Sequence, residues 1–249
     1  MDYVVVEDDY VGDEKCFSEK LLRLPSDGMP YRPSAALLSL ELPPKKAKTS
    51  KTVKIAVAAT IIKLNPGFFE MCQRIADNAG VPVEFHFLAG QARGLVYPQL
   101  RNLVARYLGK RVVLHGDQNY DNYLRTIAGC DMFLNPFPFG NTNGIVDTVW
   151  AGLVGMCKTG REVHEHIDEG MFRRLRFPEW TIARTNEEYY ESALRMIRNT
   201  DERNELSARL TGPQAINKLI FTGRPEILGQ RIEQLWLETV GTETAALQE

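Results

Sequence analysis

From residue 53 onward, short apolar runs alternate with longer amphipathic segments, and this alternation constrains the fold more than any other feature of the sequence. The intervening segments carry apolar residues at helical spacing. Strands that alternate with helices along a chain build a parallel sheet covered by helices. The sequence therefore predicts a doubly wound α/β domain, whose ligands bind at the carboxyl ends of the strands. Strands are predicted at 53–59, 81–89, 110–115, 131–135, 153–157 and 180–183, and helices at 67–79, 97–108, 120–128 and 145–151.

The rest of the chain does not follow this alternation. Residues 1–43 hold one short apolar run and a proline-punctuated stretch, too little to close a core of their own. Residues 44–52 are polar and cationic, which is typical of an exposed linker, with a nuclear targeting signal as the alternative. Beyond residue 185 the sequence is mainly helical, and its last amphipathic segment needs a partner surface. The predicted divisions are 1–43, 44–52, 53–223 and 224–249.

Composition narrows the class of protein. Of 249 residues, 44% are hydrophobic and 25% are charged, as in a globular protein with a sizeable core. The net charge of -2 gives no general attraction to nucleic acid or to anionic membranes. Four widely spaced cysteines predict reduced core thiols rather than zinc ligands or disulfides. The start of the chain is acidic, and no apolar run approaches the roughly 18 residues that span a bilayer, so a cytoplasmic protein is expected.

The most informative segment is LNPFPFGNTNGIVDTVWAG, residues 134–152, which runs from a strand through a Pro/Gly/Asn loop into a helix. Gly140 and Gly144 allow the backbone to approach a ligand, and Thr142 or Asn143 can cap the helix. Exposed amides at a positive helix end bind phosphate, so diphosphate is a natural ligand. Asp147, one turn beyond Asn143, can accept hydrogen bonds from ribose hydroxyls. Plain helix capping is the alternative explanation.

Other polar residues follow the predicted strands at the same edge of the sheet. Lys63 comes just after the first strand, where its ammonium can neutralise charge on a diphosphate leaving group, although an ordinary surface lysine is the alternative. Gln91 follows the next strand and His115 ends the one after it, so both can reach a sugar or base hydroxyl, with a purely structural role as the alternative. His164 and His166 are two residues apart and point to different sides of a helix, which argues against a shared metal site.

Several catalytic motifs are absent from the sequence. There is no GxxxxGK[ST] phosphate loop, no GxSxG elbow and no GxGxxG after a strand, so kinase-like NTPases, serine hydrolases and classical dinucleotide dehydrogenases are disfavoured. No DxD-type acidic pair stands at a strand end, so a metal-assisted diphosphate site is not predicted.

The 134–152 segment resembles a known family, together with CDMFLN before it, GREVHEHIDEGMFRRL after it and IIKLNPGFFE upstream. It is similar to the carboxyl-terminal half of the bacterial adhesin glycosyltransferases. These are cytoplasmic N-glycosyltransferases of glycosyltransferase family 41, related to the eukaryotic protein O-GlcNAc transferase. The resemblance implies a GT-B carboxyl-terminal Rossmann-like lobe with carboxyl-terminal helices. It also implies metal-independent, inverting transfer of a hexose from UDP-glucose or UDP-galactose to protein asparagine in Asn-x-Ser/Thr, with an adhesin among the acceptors.

The resemblance also implies roles for individual residues. Lys63 corresponds to the lysine that contacts the UDP diphosphate, and Asp147 to the carboxylate that holds ribose. The phosphate-binding turn corresponds to Asn143 with the backbone of Thr142 and Gly144. Gln91 corresponds to a residue near the donor sugar, and, by position, His115 and Tyr123 lie on the uracil side.

The chain departs from this family in extent. The helical acceptor domain and most of the amino-terminal lobe have no counterpart in the sequence, so donor binding is expected to survive better than transfer, and no general base is assigned. Three alternatives remain: a non-catalytic UDP-sugar-binding fragment, a GT-B transferase acting on a small molecule or lipid, and a GT-B sugar-phosphate epimerase.

Overall fold

A six-stranded parallel sheet forms the centre of the protein. The computed structural model describes residues 2–42, 51–90 and 92–246, with the backbone alone for 239–246. The strand order is β5-β4-β3-β6-β7-β8, and every pair in it is parallel. The strands are β3 (Val53–Val57), β4 (Val83–Leu88), β5 (Val112–His115), β6 (Met132–Leu134), β7 (Val154–Lys158) and β8 (Ile182–Ala183). All six coincide with predicted strands to within a few residues.

Helices cover the sheet in two groups. The first group is α2 (Pro66–Asn78), α3 (Val96–Leu108) and α7 (Asn186–Arg198), with α2 in contact with the other two. The second is α4 (Tyr120–Ala128), α5 (Thr142–Trp150), α6 (Val163–Arg174) and α9 (Pro213–Leu219), with α5 in contact with the other three. Right-handed crossovers that reverse direction along a sheet place helices on both of its faces. The predicted doubly wound architecture is therefore confirmed.

Apolar strands and helix faces meet in one continuous core. Ile55 and Val57 of β3 are fully buried, as are Phe68 and Ile75 on the inner face of α2. Asn65 begins α2, because its side chain accepts a hydrogen bond from the amide of Phe68. Cys72, Cys130 and Cys157 are buried in this core and form no disulfide, whereas Cys16 lies outside it and is partly exposed.

The amino-terminal segment packs against α6. It contains β1 (Tyr3–Glu7) and β2 (Lys20–Leu24), which form a separate parallel pair, followed by the short helix α1 (Ala35–Ser39). The sequence analysis located one apolar run here and did not predict β2. Most of the predicted linker, residues 44–50 of 44–52, lies outside the described residues.

A buried ionic network joins this segment to α6. Arg174 donates to Glu7 at 2.9 Å and to Asp9, and its guanidinium lies 4.3 Å from the centre of the Tyr10 ring. Burial raises the pKa of Glu7, and the hydrogen bond from Arg174 opposes that rise. Arg174 therefore supplies the positive charge that neutralises two carboxylates of the amino-terminal segment where it packs against α6.

Removing this guanidinium should destabilise the fold. Arg174→Met leaves Glu7 buried and without its cation, so the free energy of unfolding should fall by about 3–5 kcal/mol. The control is Arg224→Met, because the Arg224–Asp27 pair is exposed to solvent and should contribute much less to stability. Urea denaturation measures both, and equal losses in the two variants would contradict the buried network.

The chain ends in α8 (Thr200–Leu210), α9 and the long helix α10 (Glu226–Ala246). As the sequence predicts, the region beyond Thr185 is helical. Helix α10 contacts β2, and its side chains Ile232 and Trp236 are exposed. Within the described parts of the chain, no helix combines the length and apolar character needed to cross a membrane.

Candidate functional site

The candidate site lies where the strand order reverses. Strands β3 and β6 are neighbours, but the chain leaves β3 towards β4 and leaves β6 towards β7. The loops that follow two such strands separate, and the crevice between them is the usual ligand site of an open parallel sheet. Lys63 ends the short 3-10 turn after β3, and the loop 135–141 follows β6. Both predicted phosphate-binding elements therefore border this crevice.

Lys63 reaches across the crevice to the loop after β6. Its Nζ atom donates to the carbonyl oxygen of Gly140 at 2.6 Å and lies 3.3 Å from Oδ1 of Asn141. The same ammonium is 5.2 Å from the centre of the Phe139 ring. Burial lowers the pKa of Lys63, and the nearby Asp168 carboxylate opposes that effect. The structure thus brings together the lysine and the turn that the sequence analysis assigned to one site.

Helix α5 begins at the turn, three residues earlier than predicted. Its N-cap residue is Asn141, and the Asn141 side chain does not cap the helix but donates to the carbonyl of Ala58 at 2.5 Å. The prediction that Thr142 or Asn143 caps the helix is wrong, because both lie within the first helical turn. The first amides of an α-helix have no partner within the helix and carry the positive end of its dipole.

The first-turn residues Thr142, Asn143 and Gly144 line a cavity of about 360 Å³ together with Lys63. We call this cavity the turn cavity. Its remaining lining comes from the ends of β3 and β4, from Asn141 and from the α4 and α5 side chains Tyr123 and Asp147. Thr60 lies on its wall, and among the described residues no group hydrogen-bonds to its buried Oγ1 atom. The turn cavity therefore combines an ammonium with a helix end in one small volume, and the unpaired Thr60 hydroxyl is buried in its wall.

A second cavity of about 310 Å³ adjoins the first, and we call it the tyrosine cavity. The two share Leu88, Gly90, Tyr123 and Asp147; the tyrosine cavity is completed by Gly116, Gln118 and Tyr120. The rings of Tyr120 and Tyr123 are stacked with their centres 5.9 Å apart. Together the cavities form a cleft with an aromatic end and a cationic end.

Asp147 stands at the junction of the two cavities. The hydroxyl of Tyr120 donates to its Oδ1 atom at 2.5 Å, and Tyr123 also hydrogen-bonds to this carboxylate. Burial raises the pKa of Asp147, whereas these two hydroxyl donors lower it. A carboxylate can accept several hydrogen bonds, so Asp147 can receive hydroxyl groups of a ligand that spans the cleft.

Two glycines of the turn are required by close packing against protein, rather than by approach of a ligand as predicted. A Cβ atom at Gly140 would lie 2.8 Å from Cγ of Asp168, and one at Gly144 would overlap the Asn141 side chain and lie 2.8 Å from the Ala58 carbonyl oxygen. Real Cβ atoms do not approach other atoms so closely. Both glycines therefore set the shape of the turn.

Gly144→Ala should distort the turn. The added methyl group must displace Asn141 or the β3 backbone, so the free energy of unfolding should fall by about 1–3 kcal/mol. Binding of a phosphate-containing ligand should weaken as well. Gly229→Ala on α10 is the control, because nothing lies within 4 Å of its added Cβ atom. Urea denaturation with calorimetry checks this, and an unchanged Gly144→Ala protein would contradict it.

The other predicted site residues are placed differently. Gln91 lies outside the described residues, although Gly90 beside it lines both cavities. His115 ends β5 opposite Leu88, is not among the lining residues of either cavity, and has its Nε2 atom 2.9 Å from Nδ1 of His86. Burial lowers the pKa of His115, and the charge of His86 lowers it further. His86 also contacts Glu84 at 2.8 Å, so its role goes beyond apolar packing.

Helix α6 carries the remaining two histidines. The His164 ring stacks on Phe139, and His166 contacts Thr159 and Glu169. Over the described ranges, no cluster of three or more His, Cys, Asp or Glu side chains is arranged to hold a metal ion.

Sequence reasoning missed four residues of the site. Asn141 stands within the GNTNG string and was passed over in favour of its neighbours, while Thr60 directly precedes the 3-10 turn that carries Lys63. Tyr120 was placed on a helix but given no role. Asp168 holds the turn from α6 by hydrogen bonds to Asn135 and to the Asn141 amide, and no local sequence signal marks it.

Comparison with known proteins identifies similar sequences and similar folds. No protein-family profile matches the chain. Over 235 residues the chain is 50% identical to the UDP-glucose:protein N-beta-glucosyltransferase of Actinobacillus pleuropneumoniae serotype 5b (strain L20), and equally to that of serotype 7 (strain AP76). The chain resembles these N-glucosyltransferases over nearly its whole length. Each match covers 92% of this chain but 37% of the relative, so the chain spans little more than a third of their length.

Solved structures share the fold at much lower identity. A mutant O-GlcNAc transferase from Thermobaculum terrenum matches with a TM-score of 0.74 and 17% identity, over 95% of this chain and 44% of that one. Sucrose-phosphate synthase from Thermosynechococcus elongatus matches with a TM-score of 0.54 and 15% identity, over 96% of this chain and 59% of that one. The predicted α/β fold of GT-B glycosyltransferases is confirmed.

Proposed function

We propose that the chain is the UDP-hexose-binding part of a protein glycosyltransferase. One observation carries the proposal: Lys63 and the first-turn residues of α5 line the same cavity, and the Lys63 ammonium contacts the turn that precedes them. The chain in which they do so is half identical to relatives named UDP-glucose:protein N-beta-glucosyltransferase. A cation and a helix amino terminus that share one small volume suit a diphosphate.

The two cavities suggest how the donor lies. The diphosphate occupies the turn cavity between Lys63 and the amides of residues 142–144. The ribose hydroxyls meet Asp147 at the junction, and the uracil enters the tyrosine cavity beside Tyr123. Aromatic walls suit a flat base, while the carboxylate suits vicinal hydroxyls. The predicted roles of Gln91 near the hexose and of His115 on the uracil side remain part of this proposal.

Charge stabilisation is the chemical contribution of these residues. When the bond between the hexose and UDP breaks, negative charge develops on the departing diphosphate. Lys63 and the oriented amides are already in place to receive it, and one preorganised donor of this kind typically contributes about 10²–10³ in rate. The relatives' name specifies a β-linked product, whereas UDP-glucose is α-linked, which supports an inverting transfer.

The finer features of the activity belong to the same proposal. Transfer proceeds without a metal ion, since Lys63 and the helix end supply the positive charge. The acceptor is a protein asparagine in Asn-x-Ser/Thr, with an adhesin as a candidate, and the reaction takes place in the cytoplasm. UDP-glucose and UDP-galactose are the two candidate donors.

A second candidate function is donor binding without transfer. It is favoured by the extent of the match, because the matched part is 37% of each relative and the relatives' acceptor-binding groups can lie in the remainder.

Two assays on the chain test these functions. Calorimetry with UDP-glucose and UDP-galactose should give saturable binding of at least one. Mass spectrometry of an Asn-x-Ser/Thr peptide, incubated with the chain and that donor, should then show the mass of one added hexose. Binding without added mass supports the second candidate, and absence of binding to either nucleotide sugar overturns both.

A further inference from the structure

Asp168 is a buried carboxylate that holds both ends of the loop 135–141. It lies on α6 and is 1% exposed. Its Oδ2 atom accepts a hydrogen bond from Nδ2 of Asn135 at 2.8 Å, and its Oδ1 atom accepts one from the backbone amide of Asn141 at 2.6 Å. Asn135 is the first residue of the loop and Asn141 the last. One side chain therefore fixes the span of the loop between β6 and α5.

The surrounding backbone brings α6 close enough for these bonds. The amide of Gly140 donates to the carbonyl of His164 at 2.7 Å, one turn before Asp168 on α6. A Cβ atom at Gly140 would lie 2.8 Å from Cγ of Asp168 and 3.0 Å from that carbonyl oxygen. Glycine at 140 is thus the residue that admits the carboxylate beneath the turn.

The loop in turn holds the ammonium of Lys63. Its Nζ atom lies 2.6 Å from the Gly140 carbonyl oxygen and 3.3 Å from Oδ1 of Asn141, and both acceptors belong to the two residues that α6 fixes. Asp168 also acts on Lys63 through its charge, since each favours the charged form of the other. Asp168 is not among the residues that line the turn cavity.

We propose that Asp168 is a positioning residue for the donor: from beneath the turn it sets the Asn141 end of the loop, and through it the place and charge of Lys63. The inference rests on the proposed function, because it assumes that the turn cavity binds a diphosphate. Asp168 itself touches no ligand.

If Asp168 positions the loop through its charge, donor binding should depend on the ionisation of Asp168 and therefore on pH. Burial raises the pKa of Asp168 to about 6, with the Asn141 amide, the Asn135 amide group and the Lys63 charge acting in the opposite direction. Lowering the pH through 6 should therefore remove its charge and weaken its hold on the loop.

Other ionisable groups surround this carboxylate. Besides Lys63, they are Tyr10 from the amino-terminal segment, Cys157 from β7, Tyr189 from α7, and His164, His166 and Glu169 on α6 itself. Burial raises the pKa values of Tyr10, Cys157 and Tyr189, so these three stay neutral near pH 6. Asp147 in the cleft also has a raised pKa. A variant that lacks only the Asp168 charge separates its titration from these.

The test compares Asp168→Asn with the wild-type chain from pH 5 to pH 7.5. The probe is UDP-glucose, whose diphosphate has no group that titrates near 6, unlike a phosphate monoester. At pH 7.5 Asp168→Asn should bind UDP-glucose about tenfold more weakly, the typical loss for a charge-assisted hydrogen bond. By pH 5 the ratio of the two dissociation constants should approach one, because wild-type Asp168 is then protonated.

The matched control is Glu169→Gln, the next residue on α6. Glu169 is also buried, but it hydrogen-bonds to Arg173 rather than to the loop. The dissociation constant of the Glu169→Gln variant for UDP-glucose should equal that of the wild type at every pH. Circular dichroism on each variant verifies the fold.

Asn135→Ala keeps the proposal testable if Asp168→Asn fails to fold. The lost donor normally lowers the pKa of Asp168. The pH below which UDP-glucose binding weakens should therefore move upward in this variant.

The outcomes are distinct. A ratio that stays at one at all pH values, or a ratio above one that does not change with pH, overturns the positioning role, and so does an unmoved profile in Asn135→Ala. Failure of the wild-type chain to bind UDP-glucose at pH 7.5 overturns the proposed function instead.

Discussion

Lys63→Ala is expected to weaken binding of UDP-glucose to this chain by tenfold or more, because a hydrogen bond from a charged donor contributes about 1.5–3 kcal/mol. The ammonium is half-buried against the Gly140 carbonyl and faces no carboxylate at hydrogen-bond distance among the described residues. A diphosphate would supply the missing counter-charge. Where transfer is detected, its rate should fall by about 10²–10³.

The control for this change is Lys54→Ala. Lys54 lies on β3, the strand that precedes Lys63 in the chain. Its ammonium is exposed and pairs with Glu84 at 3.6 Å. It should bind UDP-glucose as the wild type does. Calorimetry measures the affinity of both variants for UDP-glucose. Wild-type affinity in Lys63→Ala would show that Lys63 does not bind the donor.

Asp147→Ala is expected to reduce UDP-glucose affinity to a similar extent. The change removes the acceptor proposed for the ribose hydroxyls, and it leaves the Tyr120 hydroxyl without the partner it has at 2.5 Å. The loss of a charged acceptor corresponds to about tenfold or more in the dissociation constant. Because Tyr120 and Tyr123 both lose a hydrogen bond to this buried carboxylate, the free energy of unfolding should also fall by about 1–3 kcal/mol.

A nearby carboxylate provides the matched control. Asp121 lies on α4 next to Tyr120, but it is exposed and is not among the residues that line either cavity. Asp121→Ala should keep both affinity and stability. Titration of UDP-glucose, followed by urea denaturation, separates loss of the ribose acceptor from simple destabilisation. Unchanged affinity in Asp147→Ala would contradict its role at the junction of the cavities.

The local sequence pattern predicted most of the fold. Helix α4 begins and ends where its spacing predicts, at Tyr120 and Ala128, and the six strands of the main sheet were all located. The start of α5 was missed because Thr, Asn and Gly are poor helix formers. A tertiary contact explains its position: Asn141 bonds to the Ala58 carbonyl and fixes the chain where the helix begins. Strand β2 was missed because, within the part of the chain that the structure describes, it pairs with β1 alone and lies outside the main sheet.

Part of the candidate site was likewise predictable from the local sequence, and part of it was not. Lys63 and the turn were expected to lie together because they follow strands whose carboxyl ends share one edge of a sheet, and the structure places them in contact. Asp168 and Tyr120 act over 27 residues of sequence separation, on Asn141 and Asp147 respectively. Nothing in helical periodicity distinguishes a residue that reaches a distant loop from one that only packs. Such partners emerge from the folded arrangement alone.

A crystal structure of this chain with UDP tests the central claim most directly. The account predicts diphosphate oxygens within hydrogen-bond distance of Lys63 Nζ and of the backbone amides of residues 142–144, with a ribose hydroxyl on Asp147 and the base beside Tyr123. UDP bound elsewhere, or a turn cavity left without phosphate at saturating UDP, would contradict it.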